Sequence, residues 1–515
     1  MPVLARNVVA TSQPLAAQAG LDVLRRGGNA VDAAIATAIT LTVVEPTSNG
    51  IGSDAFAILW DGSQLHGLNA SGRSPAALTP ERFAGLSAMP SLGWDAVSVP
   101  GAVSAWVALS ERFGALPFEA LFERAIEYAE GGFPVSPITA RAWSRAPARF
   151  AEYPDFQAAF LPDGRAPAAG ETWRFADQAR TLRMIATSRG DDFYRGPLAE
   201  AMVADARAHG ALLTLGDLGA HRADWVDPIA VDYGEVRLHE IPPNGQGIAA
   251  LIALGILRHT TQAECEPDGA DALHLQIEAM KLALVDSARY VGDPDHLDVA
   301  ASDLLDPDYL GARAATIDPK RAGDPGHGTP RAAGTVYLAT GDASGMMVSF
   351  IQSNYAGFGS GVVVPGTGIA LQNRGSGFVL EPGHPNRVGG GKRPFNTIIP
   401  GFLTQAGRPL AAFGVMGGFM QAQGHVQMVL RTVDGGLDPQ AASDAPRWRV
   451  DGGRTVAIEP GVAEHVLQEL AARGHDVVHT EGDVSNFGGA QLVWRGEDGF
   501  VAGSDHRKDG QAVGY

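Results

Sequence analysis

Apolar and polar residues alternate at two distinct periods along this chain, and the switches between them mark out its elements. Leu15, Ala19, Leu21 and Leu24 fall on one helical stripe, with Ser12 placed to cap the segment, Pro14 in its first turn and Gly27-Gly28 ending it. A second helix follows Asn29 and stays Ala-rich through Thr42, with Asp32 near its positive end. After Glu45-Pro46 and a glycine-bearing turn at 49–54, the period falls to two, predicting strands over 55–60 and 64–69. Helical spacing returns over 99–140, most clearly at 118–131, and again over 177–189, 198–209, 248–257 and 270–290. Residues 147–171 are rich in Pro and Ala without a period and predict surface loop. Residues 318–334, rich in Gly, Pro, Arg and Asp, predict a flexible, exposed segment.

The strongest two-residue alternation comes next. Residues 335–340 and 346–352 predict a hairpin closed by Asp342-Ala343-Ser344-Gly345. Further strands are predicted at 398–404 and 410–416, and helices at 419–433 and 462–473. Helices and strands interleaved in this way, with no internal repeat and no linker, predict one layered α/β body rather than separable domains.

Composition narrows the partners more than the fold. With 57 acidic against 39 basic residues the net charge is −18, which disfavours nucleic acid and anionic membrane as partners. Cys265 is the only cysteine, so no internal disulfide or cysteine zinc site can form, and a reducing cytoplasm fits. The first twenty residues lack the apolar run of a secretory signal, and no stretch approaches eighteen uninterrupted apolar residues.

Candidate chemistry sits at the start of the hairpin. Thr335 follows Gly334 at the head of a core strand, the layout of an N-terminal nucleophile hydrolase. In such an enzyme the hydroxyl attacks the preceding carbonyl and the peptide becomes an ester that water cleaves. The freed α-amine then serves as base for its own side chain. Gly417-Gly418, between a strand and a helix, can offer two backbone N–H groups to a developing oxyanion. His384 and His425 have no metal-ligand spacing and are expected to be packed or surface histidines. No Gly-x-Ser-x-Gly elbow and no phosphate loop is present, and no cofactor or metal is implied.

Several motifs in order across the chain carry a family resemblance: PLAAQAGLDVLRRGGNAVDAAIATAITLTVVEP at 14–46, VPGAVSAW at 99–106, FGSGVVVPGTG at 358–368, GKRPFNT at 391–397, GVMGG at 414–418 and SDHRKDGQA at 504–512. The chain resembles the γ-glutamyltransferase family, in particular its glutathione-hydrolase-like cytoplasmic members. The resemblance implies an α/β (α+β) fold, the four-layer αββα sandwich of the N-terminal nucleophile hydrolases. It also implies a proenzyme cut between Gly334 and Thr335 into a large chain, 1–334, and a small chain, 335–515, which stay interwoven and associated. A homodimer of such pairs is left open.

Residue by residue, the resemblance makes Thr335 the nucleophile, Ser353 its supporting hydroxyl and Gly417 and Gly418 the oxyanion pair. Asn396 and Thr397 stand where the family carries a hydroxyl pair. The γ-glutamyl-recognition positions depart from the pattern. The arginine that pairs with a substrate α-carboxylate falls on Ser71, with Arg73 two residues on. The acid that pairs with the α-ammonium falls on Gly377, its neighbour is Arg374, and the helper asparagine lands on Tyr355, beside Asn354. Arg374 would repel an ammonium, so a pocket lined by Arg374, with Arg73, suits an acyl group that bears a carboxylate and no amine. The expected activity is therefore a self-processing N-terminal-threonine amidohydrolase or acylase for small acidic acyl groups, such as oxamate or glutaryl-type amides. A γ-glutamyl hydrolase or transferase acting on glutathione is the alternative. A third reading is an unprocessed, catalytically silent homologue that acts as a binding protein.

Overall fold

Two seven-stranded antiparallel sheets lie face to face, and helices cover the outer face of each. The computed structural model describes residues 1–325, 334–480, 482 and 484–515. One sheet runs, edge to edge, through Gln511–Gly514, Val8–Thr11, Gly334–Gly341, Met347–Tyr355, Asp54–Trp60, Leu65–Asn69 and Asp224–Val226. The other runs through Val3–Ala5, Phe500–Ser504, Ala490–Arg495, Arg408–Val415, Gly401–Gln405, Val236–Glu240 and Ile229–Tyr233. Strands from before and after residue 334 are thus hydrogen-bonded side by side, so a cut there would leave two chains sharing both sheets.

The alternation in the hairpin sets the layers. Val336, Leu338, Val348 and Phe350 point into the cluster beneath the helices Pro14–Arg25, Ala30–Val44 and Ala102–Phe113. Tyr337, Ala339, Met347 and Ile351 point the other way, into the cluster shared with Phe402, Ala412 and Val493 of the second sheet. A third cluster joins that sheet to the helices Gly247–Leu257, Ala270–Tyr290 and Met420–Val433. The strands are buried on both faces, and each full-sized apolar side chain removed from water there contributes about 1.5–3 kcal/mol. The expected αββα sandwich is what forms.

The helix Ala30–Val44 is buried along its whole length, which explains why, apart from Asp32 and Leu41, it carries small and β-branched side chains. Asn29 and Asp32 form a reciprocal capping box at its start. Asp342, from the hairpin turn, accepts the Ala30 N–H at 2.7 Å, so the turn of the central hairpin also closes the positive end of this helix. No helix among the described residues is long and apolar enough to cross a membrane.

Local expectations are corrected in three places. The first helix is capped by Gln13, whose side chain accepts from Leu15 N and Ala16 N, while Ser12 donates to Glu45. Within 147–171, expected to be surface loop, lie the end of Ala146–Arg149 and the helix Pro154–Phe160, and Phe150, Phe156 and Phe160 are buried. Aromatic burial overrides the weak helix propensity there. Of the segment 318–334, residues 326–333 lie outside the described residues, and 318–323 are tied down: Asp318 O bonds His274 at 2.8 Å, Ala322 N donates to Arg473 O at 2.7 Å, and Gly323 N donates to Glu278 at 3.0 Å.

Candidate active site

Thr335 lies at the bulge where the Gly334–Gly341 strand loses register with its neighbour: Gly334 pairs with Tyr355 and Val336 with Gln352. A bulge re-aims the side chain it carries. Here the Thr335 hydroxyl, almost wholly buried, comes to 3.2 Å from the Ser353 hydroxyl and accepts from Gln421 Nε2 at 3.4 Å. Ser353 Oγ in turn accepts the Tyr355 N–H at 2.8 Å. That bond folds the strand end back on itself and accompanies the left-handed backbone of Tyr355, whose φ is +75°.

The Gly417-Gly418 pair follows the strand Arg408–Val415 and precedes the helix Met420–Val433. Both glycines have positive φ, +117° and +62°, and a Cβ at Gly417 would stand 3.1 Å from Gly488 Cα. A side chain would therefore be strained twice over. Their carbonyls are used, by Met420 N and Gln421 N at 3.1 Å, whereas neither N–H has an acceptor among the described residues. Two unspent amide donors beside a helix start are what an oxyanion needs. Gln246 ties this turn to the next part of the site: its Nε2 donates both to Gly418 O at 2.7 Å and to Thr397 O at 2.6 Å.

Arg374 is fully buried. Its Nη1 donates to Thr397 Oγ1 at 2.9 Å and its guanidinium carbon lies 4.4 Å from the centre of the Tyr355 ring. Its Nε and Nη2 have no partner, and neither has Asn354 Nδ2, whose amide oxygen is taken by Ser53. The sheet neighbour Asp54, also fully buried, accepts from Asn396 Nδ2 at 3.4 Å and from Gly72 N at 3.1 Å. Burial pushes the Arg374 guanidinium down to about 10 and the Asp54 carboxyl up to about 7, and each opposes the other's shift by its charge. The pocket thus holds a surplus of unsatisfied donors around one arginine, which an anion satisfies and an ammonium does not.

Thr335, Ser353, Tyr355, Arg374, Thr397, Gly417 and Gly418 are linked by these contacts, with Asn354 and Asn396 adjoining them. Arg73 stands apart. Its guanidinium goes to Asp293 at 2.8 Å, to Gly391 O at 3.0 Å and to Asp295 at 3.3 Å, and among the described residues no contact joins it to Arg374 or Thr335. The expected pairing of Arg73 with a substrate carboxylate gives way to these acids, because neighbours in sequence at a loop need not share a pocket. Gln246, Gln421 and Asp54 escaped the sequence reading. For Gln421 a signal existed, a glutamine one turn past the Gly-Gly pair at the start of the helix Met420–Val433.

His274, Glu278 and His475 come close enough to hold a metal ion. The cation's place is occupied: Lys281 Nζ bonds Glu278 at 2.8 Å, Gly323 O at 3.0 Å and His475 Nδ1 at 3.4 Å. Burial, and then Lys281, hold His475 down at about 3, so it is neutral. The cluster is a satisfied network pinning 318–323 to the helix Ala270–Tyr290. His425, expected to be an ordinary packed or surface histidine, is buried against Glu240 at 2.6 Å, and His384 bonds Ala288 O.

The model of the gamma-glutamyltranspeptidase family matches residues 16–515. The chain is 35% identical to the glutathione hydrolase-like YwrD proenzyme of Bacillus subtilis, over 99% of this chain and 98% of that protein. It is 36% identical to the oxamate amidohydrolase proenzyme of Klebsiella pneumoniae, over 97% of each. The crystal structure of cephalosporin acylase from Bacillus halodurans superposes with a TM-score of 0.95 at 49% identity, covering 100% of this chain and 97% of that one. A match that spans almost the whole chain, on an αββα frame with a buried threonine at the head of its central hairpin, leaves one conclusion: the chain belongs to the gamma-glutamyltranspeptidase family.

Proposed function

We propose that this protein is a self-processing amidohydrolase that uses Thr335 to cleave amides of small acyl groups carrying a carboxylate. It is an enzyme of the N-terminal nucleophile hydrolase type. Cleavage of the Gly334–Thr335 bond frees the Thr335 α-amine, which takes the hydroxyl proton as Oγ bonds the substrate's acyl carbon. The N–H groups of Gly417 and Gly418 hold the oxyanion, the C–N bond breaks, and the amine departs with the proton. Water, activated by the same α-amine, then hydrolyses the ester. Ser353 and Gln421 hold the hydroxyl in its rotamer throughout.

The observation that carries the acyl preference is Arg374, buried with two donors unspent. That the Klebsiella relative is named for oxamate, an amide whose acyl half is a carboxylate, agrees with it. The relative named glutathione hydrolase-like supports a second reading, a γ-glutamyl hydrolase, in which the buried Asp54 would meet the ammonium. The two separate in one experiment: kcat/KM for glutaryl-anilide and γ-glutamyl-anilide with the purified, processed enzyme. A preference for glutaryl is expected, and a strong preference for γ-glutamyl overturns the proposal. A silent homologue would turn over neither.

A further inference from the structure

A buried pair of ionisable side chains lies behind the catalytic groups and takes no part in the steps above. Glu240 ends the strand Val236–Glu240, and His425 lies on the helix Met420–Val433, which follows the Gly417-Gly418 turn. Both side chains are wholly buried, and His425 Nδ1 lies 2.6 Å from Glu240 Oε1. The far atoms, Glu240 Oε2 and His425 Nε2, have no partner among the described residues. Burial pushes the Glu240 carboxyl up, and the imidazole beside it opposes that rise.

Such a pair is a poor way to hold a core together. Taking two strongly polar groups out of water costs more than their attraction readily returns, and apolar side chains of the same volume do as well or better. What the bond supplies is direction, and its surroundings fit one direction only. The His425 ring is held between Phe413, whose ring centre is 4.9 Å away, and Gly401, where a Cβ would stand 3.0 Å from His425 Nδ1 and Cε1. One residue earlier, Gly424 brings the helix backbone onto the strand Arg408–Val415, since a Cβ there would stand 2.6 Å from Val415 Cγ1. On the far side of the pair, a Cβ at Gly247 would stand 2.7 Å from Glu240 Oε2.

Two polar ties run from this pin to the catalytic centre. Gln421 precedes His425 by four residues, about one turn, so both side chains leave the same face of the helix. Gln421 Nε2 donates to the Thr335 hydroxyl at 3.4 Å, and its Oε1 accepts from Ile399 N at 3.1 Å, two residues before Gly401. Gln246, next in chain to the glycine that packs on Glu240, donates to Gly418 O and to Thr397 O.

We infer that Glu240 and His425 are positioning residues for the reaction: their hydrogen bond fixes where Gln421 meets the Thr335 hydroxyl and how the Gly417-Gly418 amides are aimed. Neither touches substrate, and each acts through a glutamine that contacts the hydroxyl or the oxyanion turn. This rests on Thr335 being the nucleophile, but not on which acyl group it takes.

Glu240→Met and His425→Phe each keep the bulk of the side chain and remove the hydrogen bond, whereas Glu240→Gln keeps an oxygen that can accept from Nδ1–H. For these and for the Met/Phe double variant the test measures kcat and KM on glutaryl-anilide and γ-glutamyl-anilide, the rate of self-cleavage on a denaturing gel, and calorimetric Tm. Each apolar single variant should lower kcat by about 10- to 100-fold, the cost of misplacing reacting groups by an ångström or less, with KM little changed. A folded precursor that is slow to cut counts as the same loss, because Thr335 makes that attack too. Glu240→Gln should keep most of the activity. In the double variant two apolar side chains fill the space of the pair, so Tm should return to the wild-type value or above while kcat stays low. Wild-type kcat in both single variants, a Glu240→Gln enzyme as slow as Glu240→Met, or a double variant that recovers kcat along with Tm or never folds, assigns the pair to the core and overturns the inference. A wild type that is neither cut nor active would sink the Thr335 reading and the inference with it, whereas an active wild type with an equally active double variant sinks the inference alone.

Discussion

Replacing Arg374 by Met separates substrate recognition from scaffolding, because the side chain is buried, makes one hydrogen bond to a neighbouring side chain and leaves two donors unspent. Charge-assisted hydrogen bonds are each worth about 1.5–3 kcal/mol, and a bidentate pair to a substrate carboxylate is worth about 3–4 kcal/mol after the partial loss expected when two bonds share one group. At about 1.4 kcal/mol per tenfold, kcat/KM for glutaryl-anilide should fall by about 10² to 10³. Valeryl-anilide, with the same chain length and no carboxylate, should change by less than about threefold. Arg374→Lys should lie between, since it keeps the charge and loses the planar fork. The folded protein should tolerate the change: Thr397 Oγ1 loses a donor, costing about 1 kcal/mol, while a desolvated, under-satisfied cation leaves the interior. Steady-state kinetics on both anilides, with calorimetric Tm as the folding control, decide the matter. Equal losses on glutaryl and valeryl substrates would mean that Arg374 props up the site rather than reading the acyl group, and no loss on glutaryl would refute the recognition argument outright.

Thr335→Ala should remain one chain of 515 residues on a denaturing gel, where the wild type should give pieces of 334 and 181 residues, and should hydrolyse none of the amides. Gly417→Ala places a Cβ on a backbone at φ +117° and 3.1 Å from Gly488 Cα; kcat should drop by about 10² or more with KM little changed, measured on the processed enzyme. Asp54 titrates near 7 inside the pocket, so below that pH it is neutral and Arg374 faces the substrate unopposed. Above it the carboxylate offsets the guanidinium, and KM for acidic acyl substrates should rise as pH increases through about 7. A pH profile of KM checks this, and Asp54→Asn should flatten it.

The alternation on either side of Asp342, the Ala-rich run after Asn29 and the Gly-Gly before the helix at 420 were enough to read the layered fold, the central hairpin with a threonine at its head and the glycine turn ahead of the helix, because each depends on a local rule of period, cap or backbone conformation. Arg374 was also legible as a charge out of place. What local pattern could not supply was pairing across the chain. Only folding sends Arg73 to Asp293, which lies 220 residues away, and leaves Arg374 with donors to spare. Gln246 joins two carbonyls more than 150 residues beyond it, and Lys281 fills a would-be metal site by bonding Glu278 on its own helix, the backbone carbonyl of Gly323 and the ring of His475. Propensity and period act over a few neighbours, so the sequence alone determines which elements form and which residue begins the hairpin. Whether a buried polar group is satisfied depends on what long-range packing brings within 3 Å of it, and here that decided which arginine is paired with acids and which keeps donors to spare.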